Sequence, residues 1–261
     1  MKITIALLLS AAMLAGCSSS GPEAPTGSKP KAAAVVIDNT PVEPLEIGGS
    51  ISLLQASGDL RDPQAAGWRE AQEYSMDLGM APPVHQSINL RLDDSAAPQP
   101  IYVRAASDGK KLYLRLRWPD ASENAATSRT DFADGVAVQF ALGDPAADGS
   151  PTTSFMMGAP NGPVNIWYWK AGQAEAQNLA AGGFGSTTPL DTAGLESSSV
   201  FRDNGEWVVV FSRPLLQSGE HLVNLESGTA SVAFALWQGD QRQRDGLKHV
   251  SMGWVSLEPA L

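Results

Sequence analysis

The chain has few of the side chains on which metal and nucleophile chemistry usually depends. Its 261 residues include one cysteine, Cys17, so no intramolecular disulfide can form. With His85, His221 and His249 as the three histidines, a mononuclear zinc site is hard to assemble. HExxH, GxSxG, paired CxxC and P-loop motifs are absent. CxxCH is absent too, which excludes covalently attached c-type haem. The inventory therefore argues against a hydrolase or a zinc enzyme.

Basic charge and long apolar runs are also scarce. The formal net charge is −10, which argues against binding to nucleic acid or to anionic lipid headgroups. An acidic surface is compatible with docking to a basic partner such as an electron carrier. Beyond the N-terminus, no stretch of the sequence is apolar enough to cross a membrane.

The N-terminus has the pattern of a bacterial lipoprotein signal. Lys2 precedes a short apolar core, and Leu14-Ala15-Gly16-Cys17 matches a lipobox. We therefore predict a signal peptide over residues 1–16, acylation of Cys17 by chains such as palmitate, a flexible tether over 17–45 and one domain over 46–261. The expected location is the periplasm, with the lipid anchor as the only membrane attachment. Ser18, in place of a retaining aspartate, favours the outer membrane.

Short runs of alternating polar and apolar residues predict an all-β fold. Asp108-Gly109 and Asn204-Gly205 are hairpin signals between such runs. Only residues 63–73 and 169–179 look locally helical, and residues 143–163 and 180–198 read as long loops. We predict an antiparallel two-sheet β-sandwich with few short helices. The strand candidates are residues 87–92, 111–118, 135–142, 164–169, 206–212, 230–238 and 249–257.

Two distant segments carry candidate metal ligands. Met156 and Met157 offer soft thioether sulfurs beside an aromatic strand, although methionine more often fills a core. Lys248 and His249 offer nitrogen ligands, although lysine is usually a surface charge and must be neutral to bind a metal. In extended segments neighbours point to opposite sides, so we expect one residue of each pair to face a shared pocket. The residues alone leave open which one.

Several stretches resemble the haem-binding gamma subunits of type II dimethyl-sulfoxide-reductase-family enzymes, which include ethylbenzene dehydrogenase, dimethyl sulfide dehydrogenase, and chlorate and selenate reductases. The matching residues are 112–118 with Asp120, 134–140, 155–158, 163–171, 207–211 with 213–215, and 234–237 continuing through Arg244, Gly246, Lys248 and Ser251. They cover most of residues 100–257.

The resemblance implies an immunoglobulin-like or DOMON-like sandwich holding one haem b. Its axial ligands would be Met157, with Met156 as the fallback, and Lys248, with His249 as the fallback. The expected partners are a molybdopterin-containing alpha subunit, an iron–sulfur beta subunit, and a periplasmic cytochrome or quinone-linked carrier. The implied role is electron transfer, without catalysis by this chain. The remaining candidate haem contacts are Trp167, Trp169, Trp237, Arg213 and Arg244.

Two other functions compete with this interpretation. Seven tryptophans and the stretch 114–120 also resemble carbohydrate-binding sandwiches, which predicts a ligand-binding lipoprotein without haem. A structural lipoprotein without a cofactor would tolerate changes at both Met157 and Lys248. The lipidation signal is a departure from relatives that are released as soluble periplasmic subunits. It leaves open a membrane-tethered complex or a tethered cytochrome that works alone.

Overall fold

The computed structural model describes residues 40–83, 85–86, 96–143 and 151–259. The predicted signal peptide, Cys17, most of the tether and the strand candidate at 87–92 lie outside the described residues. Among the described residues, no helix is both long and apolar enough to span a bilayer.

The predicted all-β class is confirmed. A short 3-10 helix, Ala66–Glu70, is flanked by strands, and long loops connect several of the elements. The strands are β1 (Val42–Pro44), β2 (Ser50–Gln55), β3 (Glu73–Met80), β4 (Gln99–Ser107), β5 (Lys111–Pro119), β6 (Gly135–Ala141), β7 (Val164–Lys170), β8 (Gln177–Ala181), β9 (Thr188–Pro189), β10 (Glu196–Arg202), β11 (Glu206–Pro214), β12 (Ala230–Trp237), β13 (His249–Val250) and β14 (Val255–Pro259).

Hydrogen bonds link the strands into a closed ring with two arms. The ring runs β3, β4, β2, β14, β12 and β13, and β13 pairs again with β3. One arm continues from β4 through β5 and β11 to β10. The other continues from β12 through β6, β7 and β8 to β9. The ring joins both arms into one hydrogen-bonded network of strands. The division into two separate sheets, which a sandwich requires, stays a prediction.

The prediction of a purely antiparallel sheet is wrong for three strand pairs. β1 pairs with β3, β14 with β2, and β2 with β4 in parallel. β2 lies between β4 and β14, so the N-terminal part of the domain is inserted between strands that follow much later in the chain. Parallel neighbours need long connections, which local turn signals do not reveal.

The local predictions are confirmed where the turn signals are strong and are wrong at two stretches without such signals. The hairpins at Asp108-Gly109 and Asn204-Gly205 form as predicted, joining β4 to β5 and β10 to β11. The helix predicted over residues 169–179 is wrong, since this stretch ends β7, turns and begins β8. The strand predicted over 249–257 breaks into β13 and β14, because residues 251–254 leave the ladder.

The two arms face each other across an aromatic core. Trp118 on β5 and Trp207 on β11 pack against Trp169 on β7, with ring centroids 6.2 and 4.9 Å away. All three rings are buried. Edge-to-face aromatic contacts of this kind add to the free energy gained by burial. The inward faces of β5, β6, β7 and β11 therefore define one continuous core.

A buried charge network lies on the outer side of the β3–β4–β5 region. Glu73 is 3% exposed and pairs with Arg117 at 2.7 Å and with Arg104 at 3.2 Å. Arg115 lies 3.6 Å from the same carboxylate. Burial alone would raise the pKa of Glu73, but the hydrogen bonds and charges of Arg117 and Arg104 outweigh it and lower that pKa. One carboxylate thus compensates several buried guanidinium groups.

We expect Glu73→Gln to destabilise the protein by about 3 kcal/mol, because it removes the carboxylate that balances the charges of the buried Arg104 and Arg115. Glu196→Gln is the matched control, since Glu196 is a half-exposed acid paired with Arg61 and Lys111. Exposed pairs contribute less than about 1 kcal/mol. Urea unfolding of the full-length protein measures both losses, and equal losses would contradict a special role for the buried network.

Candidate functional site

The main cavity of the described structure lies on the outer face of the second arm. Its volume is about 500 Å³. The wall consists of alternate residues of four adjacent strands, so it is one continuous sheet surface. The wall residues are Ala137 and Gln139 on β6, Ile166 and Tyr168 on β7, Leu179 on β8, and Ala233, Ala235 and Trp237 on β12.

Strand alternation explains why this sheet has two apolar faces. Val138 and Phe234 point into the core, whereas Ala137 and Ala235 face the cavity side of the same strands. Ala137 and Ala235 are cross-strand partners. Since side chains alternate along a strand, small residues at these positions leave a shallow, flat floor. The cavity therefore suits a broad apolar ligand.

Loops and strand ends from four parts of the chain, together with Phe234 of β12, form the rest of the lining. These residues are Phe155, Met156 and Met157, then Phe184, Gly185 and Thr187, then Asp245, Gly246 and Lys248, and finally Ala81, Pro82, Val250 and Ser251. The two long loops expected over 143–163 and 180–198 both border the cavity. The latter is shortened by β8 and interrupted by β9.

Met157 lies in a turn with an unusual backbone conformation. Its φ angle is +66°, in the left-handed region that residues with a side chain rarely adopt. Gly158 follows with φ +74°, and a Cβ there would lie 2.9 Å from the carbonyl oxygens of Ala181 and Gly162. Only glycine fits at this position, and the turn holds the Met157 side chain against the cavity.

Lys248 reaches the same end of the cavity from the other segment. A turn closed by the hydrogen bond from the Leu247 N–H to the Arg244 carbonyl precedes it. The Ala81 N–H donates to the Lys248 carbonyl at 2.8 Å. The ammonium Nζ lies 3.6 Å from Met157 Sδ and 4.9 Å from the centre of the Trp237 ring. The two side chains, 91 residues apart in sequence, thus meet.

The environment of Lys248 disfavours its charge. Burial lowers the pKa of Lys248 to about 8, and the nearby Asp245 carboxylate opposes the shift only in part. Burial, with a smaller contribution from Asp245, also raises the pKa of Tyr168 to about 12. A lysine in such a site provides a neutral amine at a pH where an exposed lysine stays charged. The amine can then donate an electron pair to a metal.

The two fallback ligands occupy different places. Met156 lines the cavity beside Met157, so the expectation that only one methionine would face it is wrong. The expectation assumed an extended segment, whereas these residues form a turn. His249 is fully buried on the opposite side of its strand from the cavity. Its Nδ1 lies 3.1 Å from the side-chain nitrogen of Gln243.

Of the predicted aromatic contacts, Trp237 lines the cavity and the other two do not. Trp167 and Trp169 are buried in the core, because they sit at the inward positions of β7. Tyr168, the intervening residue, lines the cavity and packs edge-to-face on Trp237 at 5.1 Å. Residue parity along β7 separates Tyr168 from Trp167 and Trp169, but which of the two faces borders the cavity depends on the strand register.

The two predicted arginines are not among the cavity-lining residues. Arg213 is completely buried in the core, where it donates to Asn165 Oδ1 at 3.2 Å and lies 4.8 Å from the Trp167 ring. Arg244 is half-exposed and contacts the Phe132 ring at 4.9 Å. Gln139 and Phe184 were missed, because no motif marks a cavity-facing glutamine or a loop phenylalanine.

Within the described ranges, no group of three or more His, Cys, Asp and Glu side chains is placed to hold a metal ion. Asp134 is fully buried and accepts hydrogen bonds from Trp207 Nε1 and from the Gly239 N–H. This carboxylate therefore links the start of β6 to β11 and to the residues that follow β12. The chemistry of the cavity rests on a sulfur, an amine and an apolar wall.

Comparison with known proteins gives close relatives. A family model described as ethylbenzene dehydrogenase matches residues 65–203. The chain is 42% identical over 200 residues to the dimethylsulfide dehydrogenase subunit gamma of Rhodovulum sulfidophilum, covering 74% of this chain and 73% of that protein. It is 40% identical over 204 residues to the chlorate reductase subunit gamma of Ideonella dechloratans, covering 77% and 81%.

A more distant relative comes from Haloferax mediterranei and is provisionally named a respiratory nitrate reductase heme subunit. It is 31% identical over 193 residues, covering 73% of this chain and 66% of that protein. Among solved structures, a carbohydrate binding module family 9 from Caldicellulosiruptor kristjanssonii in complex with glucose gives a TM-score of 0.44 at 11% identity, covering 84% of this chain and 96% of that chain. A structural likeness at this score supports no conclusion about a ligand.

The lowered pKa of Lys248 predicts a stability change at alkaline pH. Between about pH 8 and pH 10.5 the unfolded chain binds more protons here than the folded chain, so the free energy of unfolding rises with pH. We expect Lys248→Met to remove about 1 to 3 kcal/mol of that rise, measured by urea unfolding across this range. Lys110→Met, at an exposed turn, is the control, and the same pH dependence in both variants would contradict the shift.

Proposed function

The chain belongs to the ethylbenzene dehydrogenase family, among the gamma subunits of type II dimethyl-sulfoxide-reductase-family enzymes, and on that premise we propose that it is a haem b electron-transfer subunit. Met157 and Lys248 are the proposed axial ligands. The observation that carries the proposal is the 3.6 Å contact between Met157 Sδ and Lys248 Nζ at one end of an apolar cavity.

The cavity has the dimensions and polarity that a haem requires. Its volume of about 500 Å³ lies within the range of about 300–1,000 Å³ that is usual for cofactor sites. Ala137, Ala233 and Ala235 give it a flat floor, and the Trp237 and Tyr168 rings stand at one side. An apolar macrocycle against this floor removes apolar surface from water on both partners.

The donor pair fits a low-spin haem iron. Thioether sulfur is a soft, neutral ligand that favours the reduced metal, and a neutral amine completes the pair. To hold an iron together with Met157 Sδ, the Lys248 amine would have to move away from the sulfur, which it now contacts at 3.6 Å. Its four-carbon stem allows this movement. The burial that lowers the pKa of Lys248 favours the neutral amine that ligation needs.

The haem would supply reversible one-electron transfer, and the chain's own residues would hold it and exclude water. With a sulfur and an amine both assigned to the iron, no position remains for oxygen or a substrate. The subunit therefore relays electrons and leaves catalysis to its partners. Apolar floor and rim residues shield the site from solvent, which helps to set the reduction potential.

We propose the same partners for this chain that the gamma-subunit family implies. They are a molybdopterin-containing alpha subunit, an iron–sulfur beta subunit, and a periplasmic cytochrome or quinone-linked carrier. The net charge of −10 suits a basic carrier surface. The haem would lie between the iron–sulfur subunit and that carrier in the electron path.

We further propose that the protein works in the periplasm on a lipid tether. Cys17 closes the lipobox, and residues 18–45 are rich in Ser, Gly, Pro and Ala. A tether of this kind keeps the haem domain near a membrane without inserting it. The outer membrane is the proposed location, because Ser18 follows the lipidated cysteine.

The ligand assignment predicts a specific optical result for the full-length protein purified after expression with ample haem. A reduced-minus-oxidised spectrum should show a low-spin b-type haem at about one per chain. Met157→Ala and Lys248→Ala should each convert most of it to a high-spin form, because each leaves the iron with one open axial position. Met156→Ala and Lys170→Ala are the matched controls and should keep the low-spin spectrum.

Two outcomes would overturn parts of this proposal. A haem-free protein would favour a carbohydrate-binding lipoprotein, which a glycan array would then test. A low-spin spectrum that survives in both Met157→Ala and Lys248→Ala would move the ligands elsewhere.

The tether predicts that the full-length protein is found with membranes and incorporates labelled palmitate. We expect Cys17→Ser to abolish labelling, since the serine hydroxyl does not replace the thiol that carries the lipid. Cell fractionation and labelling measure both effects. Equal membrane association of the two proteins without any labelling would contradict lipidation.

A further inference from the structure

The methionine loop, residues 153–158, is fixed by hydrogen bonds from three separate elements. Trp254 Nε1 donates to the Thr153 carbonyl at 2.8 Å. Gln139 Nε2 donates to the Phe155 carbonyl, also at 2.8 Å. The Gly183 N–H donates to the Met157 carbonyl at 2.8 Å. Carbonyl groups throughout the loop are thus held by partners from distant parts of the chain.

Two hydrogen bonds within the loop also depend on the conformation of its backbone. The Gly158 N–H donates to the Ser154 carbonyl at 2.9 Å, and the Met156 N–H donates to Ser154 Oγ at 3.1 Å. Met157 lies between these two donor residues in the sequence, and its φ angle is +66°. A left-handed methionine persists only when its surroundings over-determine the backbone. The bonds from outside the loop supply that constraint.

Gln139 is the polar exception on the cavity floor. It is 7% exposed, and its cross-strand neighbours on the same face are Ile166 on β7 and Ala233 on β12. A buried amide in apolar surroundings is unfavourable unless it forms hydrogen bonds. An aliphatic residue would suit the floor better for packing alone. The bond to the Phe155 carbonyl, two residues before Met157, explains why a carboxamide stands there.

We propose that Gln139 is a positioning residue that sets the place of Met157 Sδ through the backbone of the methionine loop. The inference rests on the proposed function, because the sulfur is positioned for the haem iron. Gln139 itself does not contact the iron. Its effect is to keep the thioether directed at one point, so that little conformational freedom is lost when the ligand binds.

The first test uses the haem-free full-length protein and Gln139→Leu, which removes the donor, suits the apolar floor and adds no second thioether to the cavity. We expect the amides of Met156 and Gly158 to exchange hydrogen about fivefold faster, as the loss of one ordinary hydrogen bond produces. Amide exchange followed by mass spectrometry measures this. Gln177→Leu is the control, since Gln177 is an exposed glutamine on β8 whose side chain bonds only to Gln173 among the described contacts.

The second test uses the haem-loaded protein, and its readouts are the midpoint potential and the thioether-to-iron charge-transfer absorption. A less constrained sulfur binds iron more weakly, so Gln139→Leu should lower the potential and should weaken the absorption about twofold. Gln177→Leu should change neither.

The outcomes separate this inference from the proposed function. Unchanged exchange in Gln139→Leu would overturn the inference while leaving Met157 ligation intact. Faster exchange with an unchanged potential and absorption would also overturn it, since Gln139 would then serve the fold alone. If the unsubstituted protein binds no haem, the proposed function fails first, and the positioning role fails with it.

Discussion

The structure depends on one sheet region, β6, β7 and β12, that is apolar on both faces. Its inward face carries large side chains such as Trp167, Phe140 and Phe234, which build the core with β5 and β11. Its outward face carries alanines and faces the cavity. Because apolar surface is costly to leave in water, such a face calls for a cover. Loops provide part of that cover, and a flat apolar cofactor would provide the rest.

The fold brings the two proposed ligands together from opposite ends of this region. The methionine loop precedes β7, and the lysine segment follows β12 and leads into β13. β6 lies between β7 and β12, so both segments border one sheet surface. The apolar surroundings that suit the macrocycle also lower the pKa of Lys248. One constraint, burial of this face, thus accounts for the shape of the site and for the chemistry of its amine.

Local patterns predicted much of the fold and only part of the site. Hairpins at Asp108-Gly109 and Asn204-Gly205 follow from turn chemistry, whereas the parallel insertion of β2 between β4 and β14 depends on long-range contacts. The sequence selected Met157 and Lys248 by resemblance, and the structure brings them within 3.6 Å. The sequence could not show whether Tyr168 or Trp167 faces the cavity, because that depends on the strand register. It also could not show that Arg213 is a core residue, since no sequence signal distinguishes a buried arginine from a surface one.

The central claim is that one methionine sulfur and one lysine nitrogen hold the same iron. X-ray absorption at the iron edge of the haem-loaded full-length protein tests it most directly, because sulfur and nitrogen neighbours scatter differently. The account predicts one sulfur and five nitrogen neighbours per iron. Six neighbours without sulfur, or an iron with an open axial position, would contradict it.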